Sequence, residues 1–344
     1  MNIRENRDAE FLAAKALDGD SEALRELIAR PELLDSHGLI SILPALALEG
    51  KALALEVPTR WTAALRHAFV SGVHLEWSME RVGEVLDANA IPWMPFKGMD
   101  LRSRLWHSPS ARPTSDLDIL VPKDRLAEVR RLLETAGWKG VVNGDVFEDY
   151  LWSEGNNWQA INRIGTVLEL HFRLWGAVPE KWIDDIWQRS IPAPELGQAA
   201  RRPAWSDAFL LCAVHLWIQG KPRGTPFLLL YFRELELIAR QGGESVLQQV
   251  AASARQWGLS LQICLAAWNA ARLWQNPAMQ ALAVAMQNDL RLPESLLLWV
   301  ARKHGVDIIT LEHIAAVRLL SGRNSRMGSK AAYRRVWPHP AYRR

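Results

Sequence analysis

Asp116 and Asp118 stand two residues apart in the run Ser115-Asp116-Leu117-Asp118-Ile119-Leu120-Val121, a pattern of apolar and acidic residues in alternation. Along a strand, residues i and i+2 share a face. Both carboxylates therefore point the same way, while Leu117 and Ile119 turn into apolar packing. Two like charges side by side are costly until something neutralises them. Hard divalent cations, which take oxygen ligands, are the usual answer. Upstream, Lys97-Gly98 turns the chain between an apolar run and a short helical stretch. Lysine charge and the free N–H groups at a helix start suit such a turn to a phosphate. A third acid, Glu169, lies in the alternating run Thr166 to Leu174, on one face with His171, while Leu168, Leu170 and Phe172 take the other. If the two strands are neighbours, Asp116, Asp118 and Glu169 converge. Such a trio holds two magnesium ions ~3.5–4 Å apart and runs in-line displacement at phosphorus.

Each of these residues also has a plainer role open to it. Asp-x-Asp alone is common at surfaces and caps, and Lys97 also fits an exposed turn. Arg112 either binds a triphosphate or pairs with Asp116 or Asp118. Ser115 shapes the loop before the strand. His171 orients a ligand, works near an acceptor, or is a packed strand histidine. His215, in an apolar helical run, reads as a core histidine, and Lys221 and Arg223 read as surface loop. The chain has no G-x-x-x-x-G-K-[ST] and no G-x-G-x-x-G, so P-loop and dinucleotide-binding readings fail.

The elements that position these groups follow from periodicity. Residues 8–90 read as helical, with segments at Asp8 to Leu17, Ser21 to about Pro31, Ser36 to Ala54 and Pro58 to Asn89. The last carries an apolar stripe of Trp61, Leu65, Phe69, Val73, Val82 and Leu86. Ile91 to Phe96 is a short strand, placed at a sheet edge because Pro92 and Pro95 cannot donate to a ladder. Met99 to Trp106 is helical, Leu117 to Val121 a strand, and Pro122 to Ala136 a helix ended by Gly137. Strands follow at Trp138 to Val142, Val146 to Trp152, Trp158 to Asn162 and Thr166 to Leu174. Glu180 to Arg189 is helical, and the proline-bearing stretch from Ser190 to Trp205 reads as a linker. From Ser206 onward the chain is helical again, to Leu320.

Composition narrows the class. The chain has 344 residues, is 49% hydrophobic and holds 17 Trp, which at their helical spacing read as packing residues. Cys212 and Cys264 sit in apolar helical patterns and read as core residues, neither a disulfide nor a zinc site. Residues 313–344 contain eight Arg or Lys and no acid, against a net charge of +3 for the whole chain. That basic tail, with interleaved aromatics, suits nucleic-acid contact, or else solvent. The charged start lacks an apolar signal core, and the apolar run Leu39 to Leu48 is too short to span a bilayer. A cytoplasmic protein without a membrane segment is expected.

The string Lys97-Gly98, then Arg112, then Ser115-Asp116-Leu117-Asp118-Ile119-Leu120-Val121 resembles the bacterial family of uncharacterised nucleotidyltransferases, within the superfamily of DNA polymerase beta. In that family a later strand with an acid, an apolar residue and His-aromatic supplies the third acid, and Leu168-Glu169-Leu170-His171-Phe172 matches it. The close resemblance covers about residues 85–175. It implies an α+β fold in which a small mixed β-sheet nucleotidyltransferase core, residues 88–190, is flanked by an N-terminal helical cap, 1–87, and a C-terminal all-helical domain, 191–322, before the basic tail, 323–344. It further implies transfer of a nucleoside monophosphate from an NTP to a hydroxyl-type acceptor (a small molecule, peptide, protein or RNA end). Asp116, Asp118 and Glu169 would be the catalytic and metal-binding acids for Mg2+, as two ions, with Mn2+ able to substitute. Lys97, Gly98, Arg112 and Ser115 would bind nucleotide phosphate, and His171 would stand on the acceptor side. Met99 departs from many members of the superfamily, in which Ser or a second Gly follows the glycine. It favours the alternative of a catalytically inactive protein of this fold that binds nucleotide, RNA or a partner protein.

Overall fold

The computed structural model describes residues 3–30, 59–106, 111–141, 157–174, 180–218 and 228–304. In chain order the elements are α1 (Ile3–Leu17), α2 (Ser21–Ala29), α3 (Thr59–Ala88), β1 (Met94–Pro95), α4 (Gly98–Leu105), β2 (Asp116–Leu120), α5 (Leu126–Thr135), β3 (Lys139–Gly140), β4 (Asn157–Ile161) and β5 (Val167–His171). Then come α6 (Glu180–Arg189), β6 (Ile191–Pro192), β7 (Arg201–Arg202), α7 (Trp205–Ile218), α8 (Leu228–Trp257), α9 (Ser260–Trp274), α10 (Pro277–Gln287) and α11 (Leu292–His304). The architecture is α+β. Two compact units divide it: one holds residues 71–100 and 114–204, the other residues 101–113 and 205–323 with the N-terminal helices.

The sheet unit is built on a five-stranded mixed sheet of order β1-β2-β5-β4-β3. β2 and β5 run parallel, and the other pairs are antiparallel. Alternation decides the faces: Leu117, Ile119, Leu168 and Leu170 go into a core with Leu75, Met79, Val82 and Leu86 of α3 and Leu126, Val129 and Leu133 of α5. The opposite face is left to Asp116, Asp118 and Glu169. β1 lies at one end of the sheet order, where its prolines cost no ladder bond. Along α3 the expected stripe departs from the structure: Phe69 is 58% and Val73 45% exposed. Both lie off the Leu75-Met79-Val82-Leu86 series that faces the sheet, and a helix buries only the stripe its partner covers.

The stretch expected to be a linker is structured. β6 and β7 pair, and Trp93 bridges to Ala200, with the Arg201 N–H donating to the Trp93 carbonyl at 2.8 Å. Asp87, at the end of α3, takes the Trp93 indole N–H and the backbone N–H groups of Gln198 and Ala199 at 3.0, 2.7 and 3.1 Å. Short strands with prolines leave no alternation to read, and the segment is held by partners far away in sequence.

The helical unit packs α7 to α11 with α1 and α2. α8 is a single run broken at Gly243, whose φ of 64° and ψ of −164° only glycine adopts freely. Its first half carries Glu234, fully buried, which receives the Arg112 guanidinium through two bonds of 2.8 and 3.1 Å. No helix among the described residues is long and apolar enough to cross a membrane. The expected helices at Ser36 to Ala54 and Val306 to Leu320, the strand Val146 to Trp152, Lys221, Arg223 and the basic tail lie outside the described residues.

Candidate active site on the polar face of the sheet

Parallel pairing of β2 with β5 sets Asp118 beside Glu169 and Leu120 beside His171. Partners in register share a face, so the last acid of Asp-x-Asp and the acid of the LELH strand stand side by side. Asp118 Oδ1 is the hub of the cluster. It receives the Lys97 ammonium at 2.6 Å and faces His171 Nε2 at 2.9 Å. The same imidazole nitrogen lies 3.3 Å from Glu169 Oε2. Glu169 Oε1 accepts a 2.7 Å bond from Gln159, its register partner on β4. Sequence reading missed Gln159; its place two residues before Ile161 on an alternating strand was the signal available. Phe96, just after β1, braces the group, its ring edge-on to His171 with centroids 5.0 Å apart.

Lys97 reaches Asp118 because of the turn it occupies. The Phe96 N–H donates to the Asp118 carbonyl at 3.2 Å, which fixes the turn against β2. Lys97 itself has φ of 54°, in the left-handed region that a non-glycine residue enters at a cost. Gly98 then opens α4. Met99 is buried in the sheet core, so its side chain is spent on packing.

The electrostatics differ sharply between the two aspartates. Burial alone would push the Asp118 carboxyl up, but Lys97 and His171 outweigh it and hold it well below the usual carboxylate range. Glu169 is also lowered against the effect of its burial, chiefly by His171. His171 moves up: burial opposes its charge, but the bonds to Asp118 and Glu169 prevail. Asp116 goes the other way. Burial, then the neighbouring Asp118 charge, raise it to about 6, and the pull of Lys97 and a 3.2 Å bond from Ser115 do not offset them.

A divalent cation fits this donor set. Asp118, Glu169 and His171 each offer one ligand atom, all within 4.8 Å of one another. Asp116, two residues before Asp118 on the same strand, is a carboxylate whose charge Lys97 and Ser115 offset only in part. Of the residues singled out in the sequence, Lys97, Asp118, Glu169 and His171 form this connected cluster. Ser115 and Asp116 lie next to it along β2. Arg112 lies in the helical unit and is engaged by Glu234. Burial would lower its guanidinium, but the Glu234 charge raises it.

Comparison with known proteins gives one family. The model of the family described as uncharacterised nucleotidyltransferase matches residues 32–275. No curated protein matches the chain. Among solved structures, a solution structure of the antibiotic-resistance factor ANT(2'')-Ia is 15% identical, with a TM-score of 0.36, covering 53% of this chain and 91% of that one. A crystal structure of ANT(2")-Ia in complex with adenylyl-2"-tobramycin is 18% identical, with a TM-score of 0.35, covering 53% and 97%.

Proposed function

This chain belongs to the family of uncharacterised nucleotidyltransferases, and we propose that it transfers a nucleoside monophosphate from an NTP to a hydroxyl-bearing acceptor, with Asp116, Asp118 and Glu169 as the acids of the site. The observation that carries this reading is the register of β2 on β5, which sets Asp118 beside Glu169 on the face opposite the core. Divalent metal, when bound there, neutralises triphosphate charge and raises the acidity of an acceptor hydroxyl. The chain's own part is positioning and charge, which is most of what phosphoryl-type transfer asks of a protein.

Asp118 and Glu169 supply oxygen ligands already fixed by backbone pairing. Asp116 adds a second carboxylate from the same strand, one whose ionisation costs the fold until a cation accepts it. Lys97 stands at the turn where a triphosphate would enter, with the N-terminus of α4 beside it. His171 and Gln159 hold the Glu169 carboxylate between them, so its free rotation is removed before substrate binds. Ser115 steadies Asp116. The acceptor is a small molecule, peptide, protein or RNA end, and the basic residues of the C-terminal tail would favour a nucleic acid among these.

Calorimetry of each NTP with and without Mg2+, on the wild type and on Asp118→Asn, tests the reading. Magnesium-dependent binding in the wild type that Asp118→Asn abolishes is the expected result. Binding that survives the substitution unchanged refutes it.

A further inference from the structure

The transfer reading places Lys97 near an entering triphosphate but does not account for the contact it makes with Asp118. A lysine meant only to meet a phosphate needs reach and solvent. Here the ammonium sits 2.6 Å from Asp118 Oδ1, with both side chains only 6% exposed. The backbone is committed to that contact. Lys97 accepts a left-handed φ of 54°, and the bond from the Phe96 N–H to the Asp118 carbonyl pins the turn to the strand that bears Asp118. Strain of this kind at a site points to a functional demand on the residue that bears it.

We propose that Lys97 is the resident counter-ion of the site: it occupies Asp118 in the nucleotide-free protein, keeps bare divalent metal out, and gives way only to metal arriving with a nucleotide. The proposal rests on the transfer reading above. Its physics is competition for one oxygen. A divalent ion that approaches Asp118 Oδ1 alone meets a fixed positive charge at contact distance in a water-poor setting, where charges act strongly on one another. It would have to displace that ammonium from Asp118. A metal–triphosphate complex brings anionic oxygens to which that ammonium can transfer. In the resting position the Phe96 ring, 4.9 Å from Lys97 Nζ, adds a cation–π contact to the ammonium. Metal and nucleotide affinities are then coupled through a single side chain, and the coupling is reciprocal.

Mn2+ binding to nucleotide-free protein, followed by electron paramagnetic resonance, tests this on three variants. Lys97→Met removes the charge. Lys97→Gln removes the charge but keeps a donor for Asp118 Oδ1, which protects the fold. Lys97→Arg keeps the charge. The expected result is Mn2+ binding about tenfold or more tighter in Lys97→Met and Lys97→Gln, with Lys97→Arg as weak as the wild type. An NTP analogue with a non-cleavable α,β bridge should raise Mn2+ affinity in the wild type and do so much less in the two neutral variants. If Lys97→Gln binds Mn2+ no better than the wild type, while the wild type binds metal with the analogue, Lys97 is a brace and the inference falls alone. If the wild type binds no metal even with any NTP analogue, the transfer reading falls with it.

Discussion

Replacing Asp116 by Asn should make the metal-free protein more stable at neutral pH. The carboxyl is raised from an ordinary 3.8 to about 6, by burial first and then by Asp118. The unfolded chain thus gives up this proton before the folded one does. Between those values the folded state holds the extra proton, so stability falls as pH rises from about 3.8 through about 6, and the loss is complete above that. At 1.36 kcal/mol per pH unit, the full effect is about 3 kcal/mol. Asp116 is only half-buried, and residual water screens it, so a gain of about 1–3 kcal/mol is the realistic range. Asn keeps an oxygen for Ser115 and carries no charge. Hydrogen exchange read by mass spectrometry on peptides from β2 and β5 reports the opening of this sheet directly. In EDTA at pH 7.5, Asp116→Asn should slow exchange by roughly 5- to 150-fold. The gap should shrink as the pH is lowered to 5. Exchange as fast as the wild type's at pH 7.5, with an unchanged circular dichroism spectrum, would show that Asp116 bears no such penalty. A carboxylate that weakens its own fold is what a site held ready for a cation requires, and the gain in stability should come with loss of transfer.

Other expectations follow from packing and pairing. Arg112→Leu leaves Glu234 buried without its guanidinium and should cost about 3–5 kcal/mol in chemical denaturation, whereas Arg112→Leu with Glu234→Leu should recover much of that; a double variant no better than the single one would show that the pair is not what holds these segments. Gly83→Ala places a methyl 2.8 Å from the Trp93 ring, where helix and strand approach closely. A loss of about 1–3 kcal/mol is expected by thermal denaturation, and an unchanged midpoint would mean that α3 shifts freely over β1.

Local pattern made much of the sheet readable. The alternation of Asp116 to Leu120 and of Val167 to His171 put acids on one face and leucines on the other, because side-chain direction in a strand depends only on neighbours. The register of one strand on the other is different in kind. It joins Asp118 to Glu169, far apart along the chain, and no local spacing encodes it. The same holds for Arg112, whose sequence neighbours suggested Asp116 or Asp118 while its partner, Glu234, lies 122 residues away. Lys97 was legible as a turn residue, but its inward course depends on a backbone conformation that lysine seldom takes. The Ser190 to Trp205 stretch looked like a linker because two-residue strands show no period, and its anchor is a carboxylate, Asp87, on another element.

The bridge from Trp93 to Ala200 bears on how copies of this protein treat one another. An outermost strand exposes unpaired backbone groups that a second molecule can adopt as a template, and sheet-by-sheet growth into aggregates begins there. On the β1 side that invitation is withdrawn, because the chain's own returning segment uses the Trp93 carbonyl and N–H, with Asp87 as its clasp. Among the described residues the opposite margin, β3, is only two residues long, too brief a ledge for a foreign strand to hold. Weakening the clasp, as in Asp87→Ala, would therefore be felt first as self-association in concentrated solution, before the polar face of the sheet had changed at all.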